Sequence, residues 1–171
     1  EATPFLGFDA TGSGAQVKGD FRAYRRLGGG ERVVLAGRAQ LGAVLGPSLA
    51  ETPPDYLFYS GGGGTVRGQP YQSLGAAGAI GTRTFETGGQ SFAALSGEVR
   101  TRVTETISVV GFYDAGFIGA EDFSNGRWHS GAGLGLRYDT GLGPLRLDVA
   151  APVSGDTGSG VQLYLGIGQA F

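Results

Sequence analysis

The most unusual chemistry in this sequence is a lone arginine that follows a run of four glycines. Arg67 comes shortly after the run 61–64 and stands between Val66 and Gly68. Consecutive glycines hold neither a strand nor a helix well, because each loses much backbone entropy on ordering. We therefore expect a tight loop whose backbone another surface can approach. A buried guanidinium in such a loop needs carboxylate partners from elsewhere in the chain; the alternative is an ordinary solvated loop cation.

Other combinations of reactive residues are weak. The chain has no cysteine, and His129 is its only histidine, so thiolate metal sites, disulfides and multi-histidine centres are excluded. The glycine run lacks the lysine and following serine or threonine of a phosphate-binding P-loop. No nucleophile stands beside a base, so we predict no enzyme activity and no cofactor. The net charge of −2 argues against a nucleic-acid partner.

Length and composition indicate one folded domain spanning residues 1–171. Glycine accounts for 35 of 171 residues without a three-residue period, and 40% of the residues are hydrophobic. No uninterrupted apolar run is long enough for a transmembrane helix. Because the sequence contains no methionine, we expect a processed product or an excised piece of a longer protein.

Eight segments alternate apolar and polar residues with a period of two, which predicts strands. They are residues 4–11, 15–27, 32–45, 91–103, 107–118, 128–140, 145–153 and 161–171. Glycine-rich turns are predicted at 28–30 and 141–144. A long connection at about 46–90 separates the third and fourth segments and contains the arginine loop. Connections of this length are usually functional or flexible.

The lengths and faces of these segments favour an all-β, antiparallel transmembrane barrel over a soluble barrel or sandwich. Most of the segments run 9 to 14 residues, whereas strands in soluble proteins centre on about 5–6 and membrane strands need about 9–11. A polar face would line the lumen and the apolar face would meet lipid. Glu98 and Asp114 each occupy a polar position in a strand that follows the loop.

Two further sets of residues carry weaker predictions. Arg137 with Asp139, and Arg146 with Asp148, are alternate residues on adjacent strands and suggest a ladder of charges along the lumen. Four aromatic residues are candidates for the girdles of a membrane barrel, although ordinary packing explains each almost as well: Tyr59, Tyr71, Trp128 and Phe171.

Four motifs resemble the outer-membrane assembly and translocation superfamily that includes BamA, TamA and the two-partner secretion transporters. Residues 62–68 and the following 70–75 look like its sixth extracellular loop, with a Val-Arg-Gly-aromatic signature in which Gln69 replaces the aromatic. Residues 112–116 resemble its Phe-x-Asp-x-Gly strand motif. Residues 133–150 are similar to a TamA-type C-terminal hairpin, and 166–171 resemble the terminal targeting signal, here marked by Gly166 and Phe171.

The resemblance implies a location in the bacterial outer membrane, a lipid bilayer as surroundings, and other outer-membrane proteins as clients. In such proteins the loop arginine enters the lumen and meets acidic groups on neighbouring strands; here those groups would be Glu98 and Asp114. The implied activity is assembly, insertion or translocation of outer-membrane proteins, including autotransporter assembly, as in the bacterial surface antigen proteins.

Members of this superfamily have sixteen strands and periplasmic repeat domains, so the eight predicted strands correspond to the C-terminal half of a barrel. We expect a closed eight-stranded barrel with the loop mostly at its mouth, because inside it would collide with arginines at 22, 38, 100 and 137. The alternative is a homodimer joined edge to edge into sixteen strands. We predict a TamA-like insertion module with reduced activity on its own; the rival interpretation is a minimal structural barrel without transport activity.

Overall fold

Ten strands and one short 3₁₀ turn make up the regular structure in the computed structural model, which describes residues 1–28, 32–80, 83–141 and 143–171. Positions 29, 30 and 142 of the predicted glycine turns lie outside these residues. No helix in the described ranges has the length and apolarity to cross a membrane. The strands are β1 (Ala2–Phe5), β2 (Gly14–Leu27), β3 (Val33–Leu45), β4 (Ala76–Ile80), β5 (Arg83–Thr87), β6 (Ser91–Arg102), β7 (Ile107–Gly119), β8 (Gly126–Thr140), β9 (Gly143–Ser154) and β10 (Gln162–Ile167), and the 3₁₀ turn is Pro54–Tyr56.

Eight of these strands form one antiparallel sheet in the order β1-β2-β3-β6-β7-β8-β9-β10. Sequential strands are therefore neighbours, except where β4 and β5 interrupt the chain. The six long strands agree with the predicted segments to within two residues at each end. The prediction of an all-β antiparallel fold is confirmed.

The sheet has two chemically different faces because side chains alternate along each strand. We call the face that carries Glu98, Asp114 and Asp148 the inner face and the opposite one the outer face. These three carboxylates are all buried. The outer face instead exposes large apolar side chains: Leu134 is 67% exposed and Leu165 is 77% exposed. The sheet thus buries charge on one face and exposes hydrocarbon on the other.

The predicted connection at 46–90 contains more structure than the sequence indicated. β4 and β5 pair as a separate two-stranded hairpin, so there are ten strands in the described residues where eight were expected. The reason is local: β4 is rich in alanine and glycine, which have low β propensity and leave little alternation to detect.

Both terminal strands are shorter than predicted because tight turns end the pairing. The first strand stops at Phe5, and a turn in which Thr11 N donates to Phe8 O at 3.1 Å brings Asp9 into the left-handed region at φ 57°. The last strand stops at Ile167, where Gly168 has φ 96° and donates its N–H to Pro144 O at 2.7 Å.

The expectation of a closed eight-stranded barrel with the loop at its mouth is wrong for this structure. β1 and β10 are the two edges of the sheet, and no pairing joins them among the described residues. The connection occupies the inner face instead, where an apolar cluster includes Phe58 and Leu74 from the connection and Phe92 and Ile118 from the sheet. A closed eight-stranded interior holds only side chains, so it has no space for such a segment.

Candidate functional site

Residues 57–75, which we call the Arg67 loop, fold into a compact turn against the inner face. Gly62 N donates to both Val66 O and Gln69 O at 3.0 Å, and Gly61 N donates to Thr65 Oγ1 at 2.8 Å. Gly61, Gly62 and Gly68 have φ values of 115°, 87° and 93°. Such values are rarely open to other residues, so the glycines allow the chain to reverse twice and point Arg67 at the sheet.

The Arg67 side chain is 2% exposed and lies among carboxylates of three strands. Asp114 of β7 accepts from Arg67 Nε at 2.7 Å, from Nη2 at 3.0 Å and from the backbone N–H at 3.0 Å. Glu98 of β6 accepts from Arg67 Nη1 at 2.6 Å. The sequence had singled out these two carboxylates as candidates, and the fold brings both into contact with Arg67. The solvated alternative does not describe this geometry.

Burial alone lowers the pKa of the Arg67 guanidinium, but the hydrogen bonds and negative charge of Asp114 and Glu98 outweigh that effect. The pKa of Arg67 therefore lies above the ordinary value for arginine. The guanidinium carbon also lies 3.6 Å from the centre of the Phe112 ring, which is a cation–π contact. The arginine is consequently held charged, with hydrogen bonds at its edge and an aromatic ring against its face.

Asp148 of β9 is a third carboxylate in this cluster, and sequence reasoning missed it as a partner of Arg67. It is fully buried, accepts from Arg67 Nη1 at 3.3 Å and forms a very short hydrogen bond with Arg137 Nη1. Arg146 Nε lies 3.6 Å from the same carboxylate. The predicted ladder is therefore a compact cluster around Asp148, whereas Asp139 is exposed and outside it.

Gln69, which departs from the family signature, has a specific position in this structure. It is fully buried, and its Nε2 donates to Ser130 O at 2.8 Å and to Ser154 O at 3.1 Å. The ladder between β8 and β9 shifts register at Ser130, so carbonyls there lack regular cross-strand partners. The Gln69 amide donates to both carbonyls, whereas an aromatic side chain has at most one hydrogen to donate.

His129 joins the loop to the sheet through a chain of hydrogen bonds. Its ring nitrogens lie 2.8 Å from Ser60 Oγ and 2.9 Å from Thr157 Oγ1, and the Thr157 hydroxyl donates to Gln69 Oε1 at 3.0 Å. His129 and Ser60 are both 1% exposed. The chain of hydrogen bonds links buried loop and sheet residues to the partly exposed Thr157, so it is suited to fixing the loop.

Two glycines in the strands leave room for the loop backbone. A Cβ on Gly131 would collide with the carbonyl oxygen of Arg67, and a Cβ on Gly116 would lie 2.8 Å from Val66 Cγ2. Tyr164 of β10 completes the contact surface, because its hydroxyl accepts from Gly68 N at 3.0 Å. The loop motif Val66, Arg67 and Gly68 thus touches every strand from β6 to β10.

The arginines expected to collide with the loop are arranged around it. Arg38 donates to Gly64 O at 3.2 Å and forms an ion pair with Asp20 at 2.6 Å; Arg22 pairs with the same aspartate at 3.1 Å. Asp20 offsets part of their charge, and the hydrogen bond from Arg38 to Gly64 O holds the loop across the inner face instead of excluding it.

The residues of the C-terminal motif and the aromatic candidates are found in different environments. Gly166 pairs with Arg146 in the β9–β10 ladder. Phe171 is buried on the inner side with its ring centre 5.4 Å from the Arg100 guanidinium, so its assignment to an outward girdle is wrong. Trp128 and Tyr71 are exposed, and Tyr59 is half-buried. Within the described residues, no group of three or more His, Asp or Glu side chains could hold a metal ion.

The same fold is found in a solved crystal structure. BamA from Haemophilus ducreyi lacking POTRA domains 1–3 is 22% identical to this chain and superposes with a TM-score of 0.72. The match covers 94% of this chain and 35% of the BamA chain. This chain therefore spans about a third of the length of that protein.

A family model provides the sequence-level counterpart of this structural likeness. The Omp85 superfamily domain matches residues 5–171, which is nearly the whole chain. The match includes the Arg67 loop, all three partner carboxylates and the terminal strand. The chain belongs to the Omp85 superfamily.

Proposed function

We propose that this chain forms the C-terminal half of a transmembrane barrel in the bacterial outer membrane. The observation that carries the proposal is the polarity of the sheet, which is the opposite of that in a water-soluble protein. Leucines such as Leu134 and Leu163 are exposed on its outer face, and carboxylates are buried on its inner face. A broad apolar surface of this kind is uncommon on a protein in water. It fits a lipid bilayer, in which the apolar face meets acyl chains and the polar face lines the lumen.

The two open edges support the idea that further strands complete the barrel. β1 and β10 each leave one side of the backbone ladder without a partner strand in the described residues. Such edges are excluded from the hydrocarbon region, where water cannot satisfy the backbone groups. The superfamily resemblance supplies the missing half as preceding strands of a longer chain; a second copy of this chain is the rival way to cover both edges.

The activity we propose is TamA- or BamA-like assembly, insertion or translocation of client outer-membrane proteins, at a reduced level for this half alone. In this proposal residues 1–171 are a single membrane domain, and β10 forms one side of the seam at which clients enter. Gly166 and Phe171 belong to the terminal targeting signal. Val66, Arg67 and Gly68 brace the connection 46–90 inside the barrel wall, supported by the buried contacts of Arg67 with Glu98 and Asp114.

The first test is the mass of the protein in detergent, measured by light scattering with correction for bound detergent. A dimer supports edge-to-edge completion of a sixteen-stranded barrel by two copies of the chain. A monomer that recovers stability when the N-terminal half barrel of the same protein is added supports completion by preceding strands. A stable monomer that neither binds the N-terminal half barrel nor gains stability from it contradicts the half-barrel proposal.

Activity is tested separately by folding a client barrel into phospholipid vesicles that contain this chain. Acceleration of client folding over empty vesicles supports an insertion module. The matched control is an Arg67→Gln variant, which keeps the outer face unchanged but removes the charge that fixes the loop; we expect it to lose most of the acceleration. If the client folds at the same rate in empty vesicles and in vesicles that contain this chain, and the latter are not permeable, the chain is a structural barrel without transport activity.

A further inference from the structure

A second group of arginines surrounds a cavity at the end of the sheet opposite the Arg67 loop. The cavity has a volume of about 160 Å³, which is room for several waters or one phosphate group. It opens beside the short turns of the sheet, where Arg102 N donates to Arg32 O at 2.7 Å. Its charged and polar lining consists of Arg32, Arg100, Arg102, Ser108, Arg137, Asp139 and Gln169.

Two of these arginines carry buried nitrogen atoms that have no hydrogen-bond partner among the described residues: Arg100 Nη2, and Arg137 Nε and Nη2. Arg137 is only 2% exposed. Its Nη2 lies 4.0 Å from Glu98 Oε1, beyond hydrogen-bond distance, while Arg100 uses its Nε on the same carboxylate at 2.7 Å. Buried donors left without an acceptor are costly, so an acceptor is expected in this cavity.

The local charge balance favours an anion as that acceptor. Glu98, Asp114 and Asp148 are shared among the four arginines that contact them. The lining of the cavity adds two more arginines, Arg32 and Arg102, and one more carboxylate, Asp139. Among the described residues, this cluster and the cavity lining together have six arginines for four carboxylates. A neutral ligand would leave this excess positive charge in place, whereas an oxyanion would offset it.

We propose that this cavity binds a phosphate group, supplied either as free phosphate or as the headgroup of a lipid. Guanidinium groups form paired hydrogen bonds to phosphate oxygens. Four of them line this cavity: Arg100 and Arg102 from β6, Arg137 from β8, and Arg32 from the residue before β3. Arg100 and Arg137 supply the buried donors, while Arg32 and Arg102 complete the rim. Arg67 does not line the cavity, but the site adjoins the Arg67 cluster, because Arg100 and Arg137 pair with carboxylates that also hold Arg67. Phosphate binding does not depend on the insertion activity proposed above.

Calorimetric titration of inorganic phosphate into the detergent-solubilised chain, at constant ionic strength in chloride, tests the proposal. We expect saturable binding to one site. The double variant Arg32→Gln/Arg102→Gln should weaken it by roughly tenfold or more, because each charge-assisted hydrogen bond contributes at least about that factor. The matched control is Arg25→Gln. Arg25 pairs with Leu35 at the same end of the sheet but on the outer face, so phosphate should bind this variant as tightly as the parent chain.

A second variant fills the site from within the chain. Ser108 lines the cavity, so Ser108→Asp would supply a resident carboxylate. We expect this variant to lose phosphate binding while its resistance to urea stays equal to or above that of the parent chain. A merely damaged fold would lower both.

Short-chain phosphatidic acid distinguishes the two sources of phosphate. The two ligands are compared by the concentration that half-saturates the site. If dihexanoyl phosphatidic acid displaces bound phosphate at a lower concentration than free phosphate needs to bind, the site is assigned to a lipid headgroup. If it needs a higher concentration, the site is assigned to free phosphate. Phosphate binding that does not saturate, or that is equal in the parent chain and the Arg32→Gln/Arg102→Gln variant, overturns the proposal and leaves a cavity filled with water.

Discussion

Removing the carboxylate of Asp114 is the sharpest test of the Arg67 site. In Asp114→Ala, Arg67 loses three hydrogen bonds, those from its backbone N–H, Nε and Nη2 at 3.0, 2.7 and 3.0 Å. It keeps Glu98 at 2.6 Å and Asp148 at 3.3 Å. Because Arg67 is 2% exposed, water cannot easily replace the lost acceptor. We expect the free energy of unfolding to fall by about 3–5 kcal/mol, the usual cost of breaking a buried ion pair.

A double-mutant cycle with Arg67→Ala separates the interaction from the cost of each truncation. Arg67→Ala leaves Asp114 without its principal cation, so removing Asp114 afterwards relieves a buried and uncompensated charge. The double variant should therefore lose less than the sum of the two single losses, by about 1–3 kcal/mol, as found for residues in contact within one network. Arg137 continues to neutralise Asp148, which keeps the double variant foldable.

Urea unfolding in phospholipid vesicles, followed by the fluorescence of the chain's only tryptophan, Trp128, measures these losses. The matched control is Asp20→Ala. Asp20 also accepts from an arginine, Arg38, at 2.6 Å, but its side chain is 35% exposed, so its loss should cost no more than about 1 kcal/mol. Equal losses for Asp114→Ala and Asp20→Ala, or additive losses in the cycle, would refute the reasoning, because Arg67 would then behave as a solvated cation.

Three further substitutions test the contacts of the loop and the orientation of the sheet. Gly131→Ala should lower the free energy of unfolding by several kcal/mol in the same urea assay, because the added Cβ collides with the Arg67 carbonyl. Its control is Gly97→Ala, where the added Cβ meets open space; this variant should change the free energy of unfolding by less than about 0.5 kcal/mol. Tyr164→Phe removes the hydroxyl that accepts a backbone N–H of the loop at 3.0 Å; we expect a loss of about 1–3 kcal/mol and faster proteolysis of the loop, and unchanged proteolysis would contradict this contact. Leu134→Arg, on the outer face, should cost about 2–4 kcal/mol in vesicles if the residue faces the bilayer near its midplane, and no cost would argue that this face meets water.

The sequence predicted most of the sheet because alternation reports which face of a strand a residue occupies. In β6 and β7 it assigned Glu98 and Asp114 to the polar face, and both lie there. This local pattern predicts that a strand exists, but it does not predict the residue at which the strand ends. The turn at Asp9 and the turn at Gly168 end β1 and β10 through backbone hydrogen bonds that the alternation of residues does not encode.

The Arg67 site itself was only partly accessible from the sequence. Asp148 is 81 residues from Arg67 along the chain, and it reaches the guanidinium only through the register of β8 with β9 and of β9 with β10. Gln69 looked like a departure from a motif until the shifted ladder at Ser130 explained which carbonyls it binds. These contacts depend on which strands are neighbours and on a single irregular step between them.

What the sequence determined by itself was local: strands of membrane-spanning length, one polar and one apolar face, and a glycine loop that carries a cation in need of carboxylates. What only the tertiary structure decided was how these parts combine. The sheet stays open between β1 and β10, and the Arg67 loop lies across its inner face instead of at a barrel mouth. The physical reason is that alternation depends on neighbouring residues, whereas closure, register and the packing of a long connection depend on the volume available between distant strands.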